Sequence, residues 1–183
     1  MKKMLITLTI LFGFSSLAAP PLPECVKIEK IETYIKRVNC EKQLELFIEH
    51  MGLRESGNQW KVINQIGCMG LYQFSPCTLK HLGYNITPER FAHDPGIFPE
   101  ALQRQALETL FKSNEIALKD YMGYIGVTIG GVEVTKSGLL AGAHLGGVGA
   151  VKLYLLTMGR VNPKDCNQTS IKAYMREFAN YGI

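Results

Sequence analysis

Arg54-Glu55-Ser56-Gly57 closes an apolar stretch, and Gly67-Cys68-Met69-Gly70-Leu71-Tyr72-Gln73-Phe74 follows after a short loop. Ahead of it, Leu44, Phe47, Ile48 and Met51 recur at the spacing of one helix face. Glu55 falls on that same face, close to three full turns after Leu44. The pattern predicts a helix from about Cys40 to Arg54, ended by Gly57-Asn58, two residues that tolerate the left-handed backbone of a helix terminus. A carboxyl group on an apolar face is desolvated, and desolvation favours the neutral acid over the anion. A proton kept in that way near neutral pH can be given to a glycosidic oxygen. On the helix pattern alone, an exposed or ion-paired glutamate at a fraying end fits equally well.

Towards the amino terminus, Lys2 and Lys3 precede an apolar run from Met4 to Phe14, and Ser16-Leu17-Ala18 supplies small residues. This reads as an export signal over residues 1–18, too short for a membrane span. The mature chain of about 165 residues is then enough for one cored domain. Without Lys2 and Lys3 the formal net charge falls from +4 to +2, and no basic run suggests nucleic acid. All five cysteines (Cys25, Cys40, Cys68, Cys77 and Cys166) follow the signal, so export permits two disulfides and one remaining thiol. A Cys68–Cys77 bridge would brace the Gly70 to Phe74 segment, and Cys25 could join Cys40 or Cys166. Unpaired cysteines buried as small hydrophobes are the alternative.

Pro20 to Pro23 reads as an extended segment, and Ile28, Ile31 and Ile35 predict a first helix over Lys27 to Arg37. This divides the mature chain into an arm with its first helix over 19–39 and a domain over 40–183. Beyond Phe74, Pro76 to Gly83 has proline at a first helical position and glycine past the end, so a short helix follows Ser75. A long amphipathic helix is expected from Glu100 to Tyr121 on Ala106, Leu107, Leu110, Ala117 and Leu118. Ile125 to Ile129 and Val132 to Thr135, joined by Gly130-Gly131, predict a hairpin. Ser137 is expected to cap a helix to Leu145, Val148 to Met158 to resume it after Gly146-Gly147, and a last helix to span Ser170 to Tyr181. The Gly138 to Met158 stretch has glycines at four-residue spacing. His144, Lys152 and the double glycine favour core helices over a span. The sum is an α+β fold, predominantly α, with a small β-hairpin.

Glu-Ser followed by Gly-x-x-Gly-Leu-x-Gln and an aromatic residue resembles the lytic transglycosylases of the soluble (SLT) type, relatives of goose-type lysozymes. Here those residues are Glu55, Ser56, Gly67, Gly70, Leu71, Gln73, with Phe74 following. Phe91 to Pro95 is similar to the family's middle segment, and Ala141-Gly142-Ala143-His144-Leu145-Gly146 stands where the family tends to carry Ala-x-Tyr-Asn-Ala-Gly. Thr169 to Met175 resembles the segment whose tyrosine faces the catalytic glutamate. The matches extend over residues 40 to 181.

The resemblance implies a lysozyme-like domain in the periplasm or secreted, acting as a monomer on peptidoglycan without a cofactor or metal. It implies cleavage of the β-1,4 bond between N-acetylmuramic acid and N-acetylglucosamine, closing a 1,6-anhydro sugar. Glu55 would be acid and then base, with Ser56 hydrogen-bonded to its carboxyl. Gly70, Leu71, Tyr72 and Gln73 would line the cleft, the Gln73 amide reading an N-acetyl or lactyl group. Tyr174 would stand opposite the acid, and His144 would bind substrate in place of the family's Asn. Blander readings remain: Ser56 as a helix-end hydroxyl, Leu71, Tyr72 and Phe74 as core, Gln73 as a surface amide, His144 as a core histidine. Ala143 brings no hydroxyl, so if the family's hydroxyl matters, Tyr124 or Tyr174 takes it over or the site is slower or inactive. Small exported members often open the wall for secretion, conjugation or phage machinery. A hydrolytic muramidase with Asp94 or Asp165 as second acid, or a wall-binding protein without turnover, are the alternatives. A cysteine peptidase or a zinc site fits less well, because no nucleophile context or clustered ligand set is visible.

Overall fold

The computed structural model describes the backbone of residues 24–183 and side chains from residue 30 onward. The export signal of residues 1–18, the Pro20 to Pro23 segment and the side chain of Cys25 lie outside the described residues. Helix α1 runs without interruption from Glu24 to Ser56, where two helices were expected. Nothing between Arg37 and Cys40 forces a helix to stop: there is no proline and no glycine, and propagation costs little once a helix has started. Packing divides the chain inside α1, and residues Lys36–Ile183 form one compact unit.

In that unit α1 turns Phe47, Ile48 and Met51 inward. It ends at Gly57 and Asn58, both with positive φ, whose amides bond back to the Leu53 and Gly52 carbonyls. Helix α2 (Pro76–His81) starts on Ser75, whose hydroxyl oxygen accepts from the Thr78 N–H, and α3 (Pro88–His93) starts on Thr87 in the same way. Helix α4 (Glu100–Ala117) is shorter than expected, because a 3₁₀ turn over Lys119–Tyr124 takes up its last residues. Strands β1 (Thr128–Ile129) and β2 (Val132–Glu133) pair antiparallel through Gly130 and Gly131. Both glycines have positive φ, as a tight two-residue hairpin turn demands.

Helix α5 (Lys136–Leu156) is capped by Thr135 and not by Ser137, which is buried in its first turn. It is two helices joined at Gly147, whose φ of 78° and ψ of 163° no helical residue adopts. By length and composition α5 could cross a membrane, yet Ser137 to Ala143 pack into the interior. Helix α6 (Ile171–Glu177) is capped by Ser170. The described chain is mostly helical with one two-stranded sheet.

Two apolar clusters fill the unit. One gathers α1, the Met69 to Phe74 segment, α4 and the aromatic rings of Phe91, Phe98 and Phe178. The other packs the hairpin against α5 and α6. Helix α5 serves both, sending Leu140 and Ala141 to the first and Leu139 and Ala143 to the second. The carboxyl end of α1, the Leu71–Phe74 segment, α5 and α6 meet at this seam.

Candidate active site

Glu55 stands one turn beyond buried Met51, and its side chain keeps 18% exposure. The helix face therefore delivers a carboxyl group to the edge of the core. Two side chains from later in the chain converge on the same oxygen, Oε1. Tyr174 of α6 donates its hydroxyl to it, with the Met51 sulfur 3.6 Å away as a second neighbour. His144 of α5 places Nε2 3.7 Å from Oε1 and 3.0 Å from the Tyr72 carbonyl oxygen.

Tyr174 is 1% exposed and packs on Phe178. Burial, and then the Glu55 charge beside it, push its phenol well above the usual tyrosine range, so it stands as a hydrogen-bond donor. Arg54 lies over its ring at 5.6 Å and pairs with Glu177. The tautomer of His144 follows from its neighbours. A carbonyl oxygen and a carboxylate oxygen both face Nε2, and neither donates when Glu55 is ionised, so Nε2 carries the hydrogen. In the neutral ring Nδ1 is then a bare acceptor, and it is buried with no hydrogen-bond partner in the protein.

Ser56 takes a different part from the one expected. Its hydroxyl reaches the Leu71 carbonyl at 2.8 Å and the Gly52 carbonyl at 3.2 Å, and it accepts from the Gln59 N–H. It therefore ties the helix end to the loop instead of holding the Glu55 carboxyl. An Oγ that close to two carbonyls directs its single hydrogen towards them.

Leu71 and Tyr72 are buried in the first cluster, so their side chains are core. What Tyr72 offers the site is its backbone carbonyl. Burial raises its phenol to about 12. Gly70 has a positive φ, and a Cβ there would overlap the Gln103 amide, so glycine is required for the loop's close approach. Gln73, also at positive φ, donates its amide to the Gly70 carbonyl at 2.8 Å while lining a cleft.

That cleft, of about 500 Å³, lies between the Gln73–Thr78 segment, α4 and the Gly146-Gly147 break of α5. Glu55 is not among its walls. His144 is, and it is the side chain that joins the cleft to the carboxyl group. Cys68 and Cys77 also face the cleft, and of the two alternatives the unpaired one holds: Cys40, Cys68, Cys77 and Cys166 all carry free sulfurs. Burial raises the Cys68 thiol above its usual range.

Asp94 and Asp165 have local work, accepting from the Gly96 and Thr169 amides. Tyr124 packs on the second cluster, so the tyrosine hydroxyl at the site is that of Tyr174. Among the described residues no group of three histidine, cysteine or acidic side chains could hold a metal.

One organising residue escaped the sequence reading. Gln103 is fully buried on the apolar face of α4. Its oxygen accepts from the Leu71 N–H, and its nitrogen donates to the Phe98 carbonyl at 2.7 Å and the Trp60 carbonyl at 2.8 Å. The signal was available: a glutamine three and four residues before Ala106 and Leu107 sits where an amphipathic helix should be apolar.

Comparison with protein-family models, with curated proteins and with solved structures found no match for this chain.

Proposed function

We propose that this chain is a peptidoglycan lytic transglycosylase with a lysozyme-like fold, in which Glu55 acts first as acid and then as base. The observation that carries the reading is the convergence of Tyr174 and His144 on Glu55 Oε1, beside a cleft large enough for an amino-sugar unit. With both contacts on Oε1, Oε2 is the oxygen that offers the proton.

Protonation of the bridging oxygen breaks its bond to C1 of the muramic acid and leaves an oxocarbenium-like sugar. Glu55 is then a carboxylate, and the Tyr174 O–H and the His144 Nε2–H both face its growing charge. The sugar's own 6-hydroxyl attacks C1 and gives its proton to Glu55. The 1,6-anhydro ring closes, no water is consumed, and the acid is restored. One carboxyl group suffices, in keeping with the capping duties of Asp94 and Asp165. In this reading the chain is exported and opens the wall locally, in the service of a secretion, conjugation or phage apparatus.

Digestion of purified peptidoglycan with wild type and Glu55→Gln, followed by mass analysis of the muropeptides, tests it. Anhydro products that vanish with Glu55→Gln are the expected result. Reducing-end products would replace the reading with a muramidase. Glycan pull-down without fragments from either protein would replace it with a wall-binding protein.

A further inference from the structure

Glu177 closes α6, where the unsatisfied carbonyls of a helix end disfavour a carboxylate, so its place there calls for a reason. Arg54 of α1 supplies one. Its Nε donates to Glu177 Oε2 at 3.2 Å and stands 3.2 Å from Oε1. His50, one turn earlier on α1, brings Nε2 within 3.6 Å of Oε1, and its Nδ1 lies 2.7 Å from the Tyr181 hydroxyl. The Arg54 guanidinium also stands over the Tyr174 ring, and Tyr174 donates to Glu55. Burial works against the Arg54 charge, but the hydrogen bond and the charge of Glu177 outweigh it and hold Arg54 above the usual arginine range.

Arg54 precedes Glu55 in the chain, and the two charges act on each other. A cation beside an acid favours the carboxylate, and a carboxylate has no proton to give to a leaving oxygen. We propose that Glu177 is a positioning residue for the acid: it holds the Arg54 guanidinium on itself and over the Tyr174 ring, and so keeps that cation from drawing the proton off Glu55. Among the described residues, the other titratable groups that act on Glu55 are Tyr174 from α6, His144 from α5 and Cys68 from the loop. Those that act on Glu177 are Arg54 and His50 from α1, with Tyr174 and Tyr181. Of all these, Arg54 alone is a cation at every working pH, so it is the charge that needs a standing partner.

The inference rests on the proposed function for the role of Glu55 as an acid, but its test needs no turnover. Titration of the Glu55 carboxyl is followed by NMR in the full-length protein carrying isotope-labelled glutamate, the resonance being assigned by its loss in Glu55→Gln. Arg54 and Glu177 keep 42% and 32% of their side-chain surface, so solvent limits the effect. Glu177→Gln should lower the pH at which Glu55 gives up its proton by about half a unit or more. Glu177→Asp, which keeps the charge, should lower it less. Arg54→Gln combined with Glu177→Gln removes both charges and should bring the midpoint back. High salt should narrow the gap between wild type and Glu177→Gln.

A midpoint that does not move in Glu177→Gln overturns the inference, and a fall in Tm without that movement marks the pair as a clamp between helices and nothing more. A double variant that titrates like Glu177→Gln overturns it too, because the effect would then not pass through Arg54. Cleavage by wild type is scored separately. A chain that cleaves peptidoglycan with fixed midpoints keeps the function and loses the role of Glu177, and one whose midpoints move without cleavage does the reverse. Where both hold, the alkaline limb of the pH–rate profile moves to lower pH in Glu177→Gln by the amount that the titration reads.

Discussion

The hydroxyl of Tyr174 donates to Glu55 Oε1 across 119 residues of sequence, joining the last turn of α1 to α6. The bond holds Oε1, and in the proposed mechanism Oε2 is the oxygen that reacts. Tyr174→Phe removes the donor while keeping the ring on Phe178. A hydrogen bond to a charged group is worth about 1.5–3 kcal/mol, so release of muropeptides should slow by about 10- to 100-fold. Thermal unfolding should move little. Unaltered turnover in Tyr174→Phe would remove Tyr174 from the mechanism.

His144 gives a second prediction, in which geometry separates donor from ring. His144→Gln can still present an N–H near the Nε2 position, towards the Tyr72 carbonyl and Glu55, whereas His144→Leu cannot. Turnover should fall at least tenfold in His144→Leu and less in His144→Gln, with intact folding of both checked by circular dichroism. Equal losses would mean that the imidazole matters for packing on Phe74 (ring centroids 5.9 Å apart) and not for its hydrogen.

Gln103 allows a stability prediction. Gln103→Leu strips partners from the Leu71 N–H and from the Phe98 and Trp60 carbonyls, all at the base of the Gly70 loop. At about 1–3 kcal/mol for each unsatisfied buried group, the Leu71 N–H and the Phe98 carbonyl alone should bring the loss to at least about 2 kcal/mol. Chemical denaturation would read it directly. A loss below about 1 kcal/mol would show that the loop finds other partners.

The residues of the site differ in how readable they are from sequence. Glu55 followed from helical period, since Leu44, Phe47, Ile48 and Met51 fix the face on which it falls. Tyr174 came through resemblance and not from spacing, because nothing local in α6 points at a carboxyl group in α1. His144 was visible as a candidate, but its bond to the Tyr72 carbonyl was not, because every residue has such a carbonyl and only the fold chooses one. Ser56 differs from the expectation for a related reason: its hydroxyl at the helix end is taken up by the Gly52 and Leu71 carbonyls, and the second of these is brought there only by the fold. The hairpin was legible because Gly130-Gly131 demands positive φ. The continuity of α1 was missed because isoleucine spacing suggested two helices where no residue breaks one.

The buried phenol of Tyr72 carries a prediction at alkaline pH. Its folded value of about 12 lies above the ordinary value of about 10 that the unfolded chain restores. The neutral form is thus favoured by folding, and the unfolded state loses its proton first. Stability from this group is complete below pH 10 and is lost as pH rises from about 10 to about 12. Two units correspond to about 2–3 kcal/mol. Tyr174 is shifted in the same direction by burial and by Glu55, and adds to the loss. Tyr72→Phe, which has no proton to lose, should therefore lose less stability than wild type between pH 9 and 11, whatever its offset at neutral pH. Urea unfolding across that range gives the comparison, and parallel curves would place the Tyr72 hydroxyl in solvent.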